Sequence, residues 1–109
     1  MGLPAWGKEA GAAREVFAEY LRLLSQGKYA EAARLAVGPA RAAQEREIQA
    51  LGRVPLFKEL SGVSTRPLWR RGKYLELLAE YRADGRLVKV AVLMYRTGQG
   101  WRIAGVSQT

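Results

Sequence analysis

The stretch YLELLAEYRADGRLVKVAVLMYR, residues 74–96, decides the fold. Two runs of alternating apolar residues flank Asp84-Gly85, a pair that suits a two-residue hairpin turn because both central positions need positive φ. Such a turn puts Ala83 opposite Arg86. The pairs that follow are Tyr81 with Val88, Ala79 with Val90, Leu77 with Val92 and Leu75 with Met94, all on one face. This is the core face, since a slip of one residue would carry every one of these side chains to the other side. The opposite face sets Glu80 against Lys89, a favourable cross-strand charge pair. Both faces make sense in one register, so residues 74–82 and 87–96 are predicted to pair antiparallel.

Toward the C-terminus, Thr97-Gly98-Gln99-Gly100 turns the chain into a further strand, Trp101 to Gln108. With Thr97 opposite Gly100, Met94 meets Ile103 and Arg96 meets Trp101 on the core face. The outer rows then read Tyr74–Tyr95–Arg102, Glu76–Leu93–Ala104 and Leu78–Ala91–Val106. A sheet face open to water is normally more polar than this, and contiguous apolar surface marks an interface. Tyr74, Leu78, Ala91, Leu93 and Tyr95 are therefore candidate dimer-interface residues, covered by a twofold-related copy. The alternative is a bulge at Gly105 that turns Val106 inward and leaves Leu78 and Leu93 as scattered exposed residues rather than an interface.

Toward the N-terminus the period changes from two to that of a helix. Ala13, Val16, Phe17, Tyr20, Leu21 and Leu24 recur on one side of a predicted helix from Lys8 to Ser25, which Gly27 stops. A short helix from Tyr29 to Ala36 has a small-residue face of Tyr29, Ala32, Ala33 and Ala36. Gly38-Pro39 breaks the chain, and Pro39 suits the first turn of a third helix, Ala40 to Leu51. An Arg41–Glu45 pair supports that helix. Its apolar side is thin (Ala43, Ile48, Ala50, Leu51), so it is expected to lie as a flank. A first strand is predicted at Lys58 to Thr65, and Pro67 to Gly72 as a loop. Helices followed by strands indicate an α+β fold, one domain over residues 1–109 with about three helices packed on a curved antiparallel sheet of about four strands.

Composition removes much chemistry. Among 109 residues there is no Cys and no His, and the ten acids are nine Glu and Asp84. Disulfides, thiolate nucleophiles, imidazole bases and the commonest metal ligands are absent. The two Gly-Lys steps, at Gly27 and Gly72, lack the rest of a phosphate loop. Gly98-Gln99-Gly100 lacks the third glycine of a dinucleotide site. No metal and no cofactor are expected. No apolar stretch approaches the ~20 residues of a membrane helix, and Met1 to Gly7 shows no export signal, so the chain reads as cytoplasmic, or as exported where a signal has been trimmed. The 13 Arg, the abundant Ala and the absence of Asn, Cys and His suit a thermophile, or equally a GC-rich genome.

The net charge of +8 is spread along the chain. Its densest basic-aromatic segment is Arg66, Trp69, Arg70, Arg71 and Lys73, the candidate nucleic-acid contacts, where arginines would grip phosphate and the indole stack on a base. The competing reading is a solvated loop with Trp69 folded under the sheet edge.

The segment Leu23-Leu24-Ser25-Gln26-Gly27-Lys28-Tyr29-Ala30-Glu31-Ala32-Ala33-Arg34-Leu35 resembles the helix junction of the nuclear transport factor two-like superfamily, the cystatin-like cone fold. Gly100-Trp101-Arg102-Ile103 resembles that group's final strand. The resemblance spans nearly the whole chain and is closest to small bacterial members. It implies a sheet wrapped around the first helix, a cone that can hold an apolar pocket, and frequent sheet-to-sheet dimers. The enzymes of that superfamily use Asp or His; this chain has no His, its one Asp, Asp84, is required in the hairpin turn, and no catalytic residue carries over. Pocket candidates are Phe17, Tyr20, Tyr81, Arg96 and Trp101, with Arg96 positioned to meet a ligand carboxylate. For each of these, core packing with a polar tip at the rim is the plainer alternative.

The reading is a non-enzymatic binding or interaction domain that acts as a homodimer and holds a protein partner or an apolar or anionic ligand. One alternative is an enzyme with non-standard groups, whose mark would be a buried Glu of raised pKa at the cone mouth. Nucleic-acid binding through the basic segment is the other.

Overall fold

A computed structural model describes residues 6–52 and 54–109. The start of the Met1–Gly7 segment, and residue 53 between the helices and the sheet, lie outside the described residues. Three helices, α1 (Trp6–Ser25), α2 (Tyr29–Arg34) and α3 (Gly38–Leu51), precede four strands, β1 (Leu60–Arg71), β2 (Tyr74–Ala83), β3 (Arg86–Thr97) and β4 (Gly100–Gln108). The strands form one antiparallel sheet in the order β1-β2-β3-β4. This is the α+β order expected from the sequence.

The central hairpin has the predicted register throughout, from Tyr74 opposite Tyr95 to Ala83 opposite Arg86. Asp84 and Gly85 both take positive φ, 52° and 81°. Glu80 and Lys89 pair at 3.3 Å on the outer face. On the inner face Leu75, Leu77, Ala79, Val90, Val92, Met94 and Ile103 are buried against Ala10, Ala13, Phe17, Tyr20, Leu21 and Leu24 of α1. Side chains of this size contribute about 1.5–3 kcal/mol each when fully buried, so this seam between α1 and the sheet dominates the core. The β4 edge is closed by backbone bonds from Ile103 to Leu35 (2.7 Å) and from Val37 to Ile103 (2.8 Å).

Three expectations need correction. Residues 67–71 are strand, not loop: β1 runs unbroken to Arg71, with irregularities between Ser61 and Ser64 and between Pro67 and Trp69. β1 is an edge strand, where a proline and exposed charges are tolerated, and its bulges hide the period-two signal. In β4 the register shifts by one residue after Met94–Ile103, so that Gly105 faces Leu93, Val106 faces Val92 and Ser107 faces Ala91. Val106 thus joins the inner row and Ser107 takes its place outside, the bulge alternative. Finally, α3 buries Ala40 and Gln44, while Ile48 and Ala50 are exposed. Its inward stripe is Ala40, Ala43, Gln44, Glu47 and Leu51.

Candidate functional site

α1 and α3 do not close fully over the inner face near the β4 bulge. They leave a cavity of ≈ 410 Å³ walled by Phe17, Tyr20, Leu21 and Leu24 of α1, by Ala40, Ala43, Gln44 and Glu47 of α3, and by Leu56, Tyr81, Gly105 and Val106. The shift at Gly105 builds part of this wall, because it brings Val106 to the inner side. The walls are mainly apolar with a few polar groups, as small-molecule sites usually are.

Those polar groups are coupled. The Gln44 side-chain amide donates to the Tyr20 hydroxyl, and Glu47 follows one turn further along α3. Burial pushes the Glu47 carboxyl above its ordinary range, against the opposing pull of the neighbouring Gln44 amide and the Arg46 charge. Burial, then the nearby Glu47 charge, raises the Tyr20 hydroxyl. Burial alone raises Tyr81. Gln44 is only 3% exposed. Its carbonyl oxygen and Glu47 Oε2 are buried without a hydrogen-bond partner among the described residues.

Three of the five pocket candidates, Phe17, Tyr20 and Tyr81, line this cavity. Arg96 and Trp101 do not. They stand by the start of α1, where Glu9 pairs with both Arg96 and Arg70 and the Arg70 guanidinium lies 5.8 Å from the centre of the Trp101 ring. The arginine expected to greet a ligand carboxylate is thus occupied by a carboxylate of the chain itself. Gln44 and Glu47 escaped the sequence reading, which followed the apolar residues of α3. Their i,i+4 and i,i+7 spacing from Ala40 is the signal that would have placed them on the inward stripe.

The basic segment divides between the two faces. Arg66, Trp69 and Arg71 lie opposite Leu78, Glu76 and Tyr74 on the outer face, and Arg70 lies opposite Leu75 on the inner one. The Trp69 indole N–H donates to Glu76 (3.1 Å). Lys73 is exposed in the turn before β2. The interface candidates Tyr74, Leu78, Ala91, Leu93 and Tyr95 do share the outer face, and the Tyr74 and Tyr95 rings lie 5.0 Å apart.

Another hollow, ≈ 510 Å³, lies beside Gln26 to Glu31. Its Tyr29 hydroxyl is already committed to the Val54 carbonyl at 2.6 Å, which makes it the poorer site. Among the described residues no group of three or more carboxylates comes together to hold a metal ion, and no helix is long and apolar enough to cross a membrane. Comparison with known proteins finds no family model, no curated protein and no solved structure that matches this chain.

Proposed function

We propose that this chain is a small-molecule binding domain of the cone type, and that its ligand sits in the cavity between α1, α3 and the β4 bulge. The carrying observation is a mainly apolar hollow of ≈ 410 Å³ with Tyr20, Gln44 and Glu47 among its lining residues. A merely structural core would be expected to fill such space with side chains. Ethylbenzene, followed by NMR, tests the reading. It should shift resonances of Phe17, Leu24 and Val106, and Ala43→Phe should abolish the shifts while the protein stays folded. No shift at cavity residues would overturn the reading.

One observation favours a second reading, that of an enzyme. Glu47 is the half-buried carboxyl of raised pKa that such a site needs for proton transfer, and Tyr20 stands beside it. Native mass spectrometry of the purified protein would recover a retained ligand. Conversion of that ligand by the native chain but not by Glu47→Gln would support catalysis, and an unchanged ligand would leave binding alone.

We also propose that the outer sheet face pairs with a second copy. Leu78, Ala91 and Leu93 form a contiguous apolar centre, bordered by Arg66, Glu76, Glu80, Lys89 and Arg102, so charges of both signs can be matched across a twofold axis.

A further inference from the structure

At the end of the outer face away from the Asp84-Gly85 turn, one transverse row of the sheet reads Arg71–Tyr74–Tyr95–Arg102. Neighbouring strands lie about 4.8 Å apart, so two arginines flank two tyrosines across about 14 Å. The Tyr74 and Tyr95 rings are 5.0 Å apart and tilted by 52°. Trp69 stands one row further along, its indole N–H held by Glu76. Tyr74 is 44% exposed and Trp69 42%. Arg66, Arg71 and Arg102 form no ion pair among the described residues. Arg70, by contrast, faces inward and is paired with Glu9.

Exposed rings set between unpaired arginines are complemented by a partner that brings flat apolar faces and negative charge together. We propose that this row binds single-stranded nucleic acid, whose bases stack on Tyr74, Tyr95 and Trp69 while its phosphates meet Arg66, Arg71 and Arg102. Base faces and phosphates are common to DNA and RNA, so the contact is blind to the sugar and reads no sequence. A second copy of the chain centred on this row would instead set its arginines against each other, and like charges brought together are costly. The apolar centre assigned above to the dimer begins one row further on, at Leu93. The inference is independent of the cavity. It moves the nucleic-acid reading of the sequence from one basic segment to a row across all four strands: Arg70 drops out, and Tyr74, Tyr95 and Arg102 come in.

Any basic protein attracts polyanions, so the deciding comparison holds the charge fixed. Fluorescence anisotropy would use short labelled oligo-dT and oligo-rU. Both should bind, and Tyr74→Ala should weaken each by about fivefold or more, the loss expected of one stacked base. Tyr74→Phe keeps the ring and should bind as the native chain does. Both variants retain the net charge of +8. Heparin, a polyanion without bases, should bind the native chain and Tyr74→Ala alike. Arg71→Gln should reduce the slope of log affinity against log salt by about 0.7, the share of one phosphate contact on a single strand. Trp69→Ala provides the same comparison if Tyr74→Ala does not fold. Failure of the native chain to bind either oligonucleotide would overturn the inference, as would ring-removing variants that bind as tightly as the native chain. Loss of a dimer in Tyr74→Ala with oligonucleotide binding unchanged would also overturn it and give the row to a second copy.

Discussion

The Gln44 side chain of α3 donates to the Tyr20 hydroxyl of α1, which ties together the two helices that roof the cavity. Tyr20→Phe removes the acceptor and leaves a buried amide N–H without its partner. The expected cost is about 1–3 kcal/mol, read as a lower urea midpoint. Adding Gln44→Leu should recover most of that loss, because replacing both partners by apolar groups of similar shape is nearly neutral. A double variant less stable than Tyr20→Phe would mean that Gln44 contributes chiefly through something other than its bond to Tyr20.

How far the fold could be read in the sequence depended on how regular each element is. The β2–β3 hairpin was fully legible, since Asp84-Gly85 sets the turn and four successive inner pairs, from Leu75–Met94 to Tyr81–Val88, are apolar. β1 was not, because its inner row includes Thr65, Pro67 and Arg70 and its bulges shift the alternation twice. The β4 shift falls at Ala104-Gly105, where small side chains carry no facing preference. The site was half legible. Phe17, Tyr20 and Tyr81 follow from the apolar faces of α1 and β2, whereas Gln44 and Glu47 are polar residues used as wall, which a search for hydrophobic periodicity passes over. Arg96 was assigned to the correct face, but nothing in sequence spacing links it to Glu9.

Asp84 does more than turn the hairpin. Its Oδ1 accepts the backbone N–H groups of Lys58 and Glu59, each at 2.9 Å, which anchors the segment leading into β1. These bonds, that of Glu59 first, hold its carboxyl below the ordinary value of 3.8. For a depressed acid the associated stability is complete above the unfolded pKa and is lost as pH falls through the folded one. Asp84→Asn keeps an acceptor oxygen but not the charge. Thermal melts from pH 6 down to pH 2 should show native and variant curves converging at the acid end. A constant gap across that range would remove the charge from the explanation.

Glu9 joins the first turns of α1 to both β1 and β3 through Arg70 and Arg96. Its side chain and that of Arg70 are about three-quarters buried, while Arg96 is half exposed. Arg70→Ala should therefore cost more than Arg96→Ala, because it also removes the packing on Trp101. Glu9→Gln is expected to cost about 1 kcal/mol and to speed hydrogen exchange in residues 7–13 without disturbing α3. Equal effects at the two arginines would show that burial is not what ranks these pairs.

Leu93 occupies the centre of the outer face, between Glu76 of β2 and Gly105 of β4. The β4 shift removes Val106 from this face and leaves Leu78, Ala91 and Leu93 as its apolar middle. If a second copy covers it, Leu93→Glu places two like charges near the twofold axis and strips both of water, a combination that costs far more than a surface substitution. Light scattering should then show a folded monomer where the native chain is a dimer, with unchanged far-ultraviolet circular dichroism. The isolated fold should tolerate the change, since a half-buried outer position can turn a carboxylate to water. A native chain that is already monomeric would dismiss the proposed interface, and a Leu93→Glu dimer would move it to another surface, with the exposed β1 edge around Arg66, Trp69 and Arg71 as the next one to test.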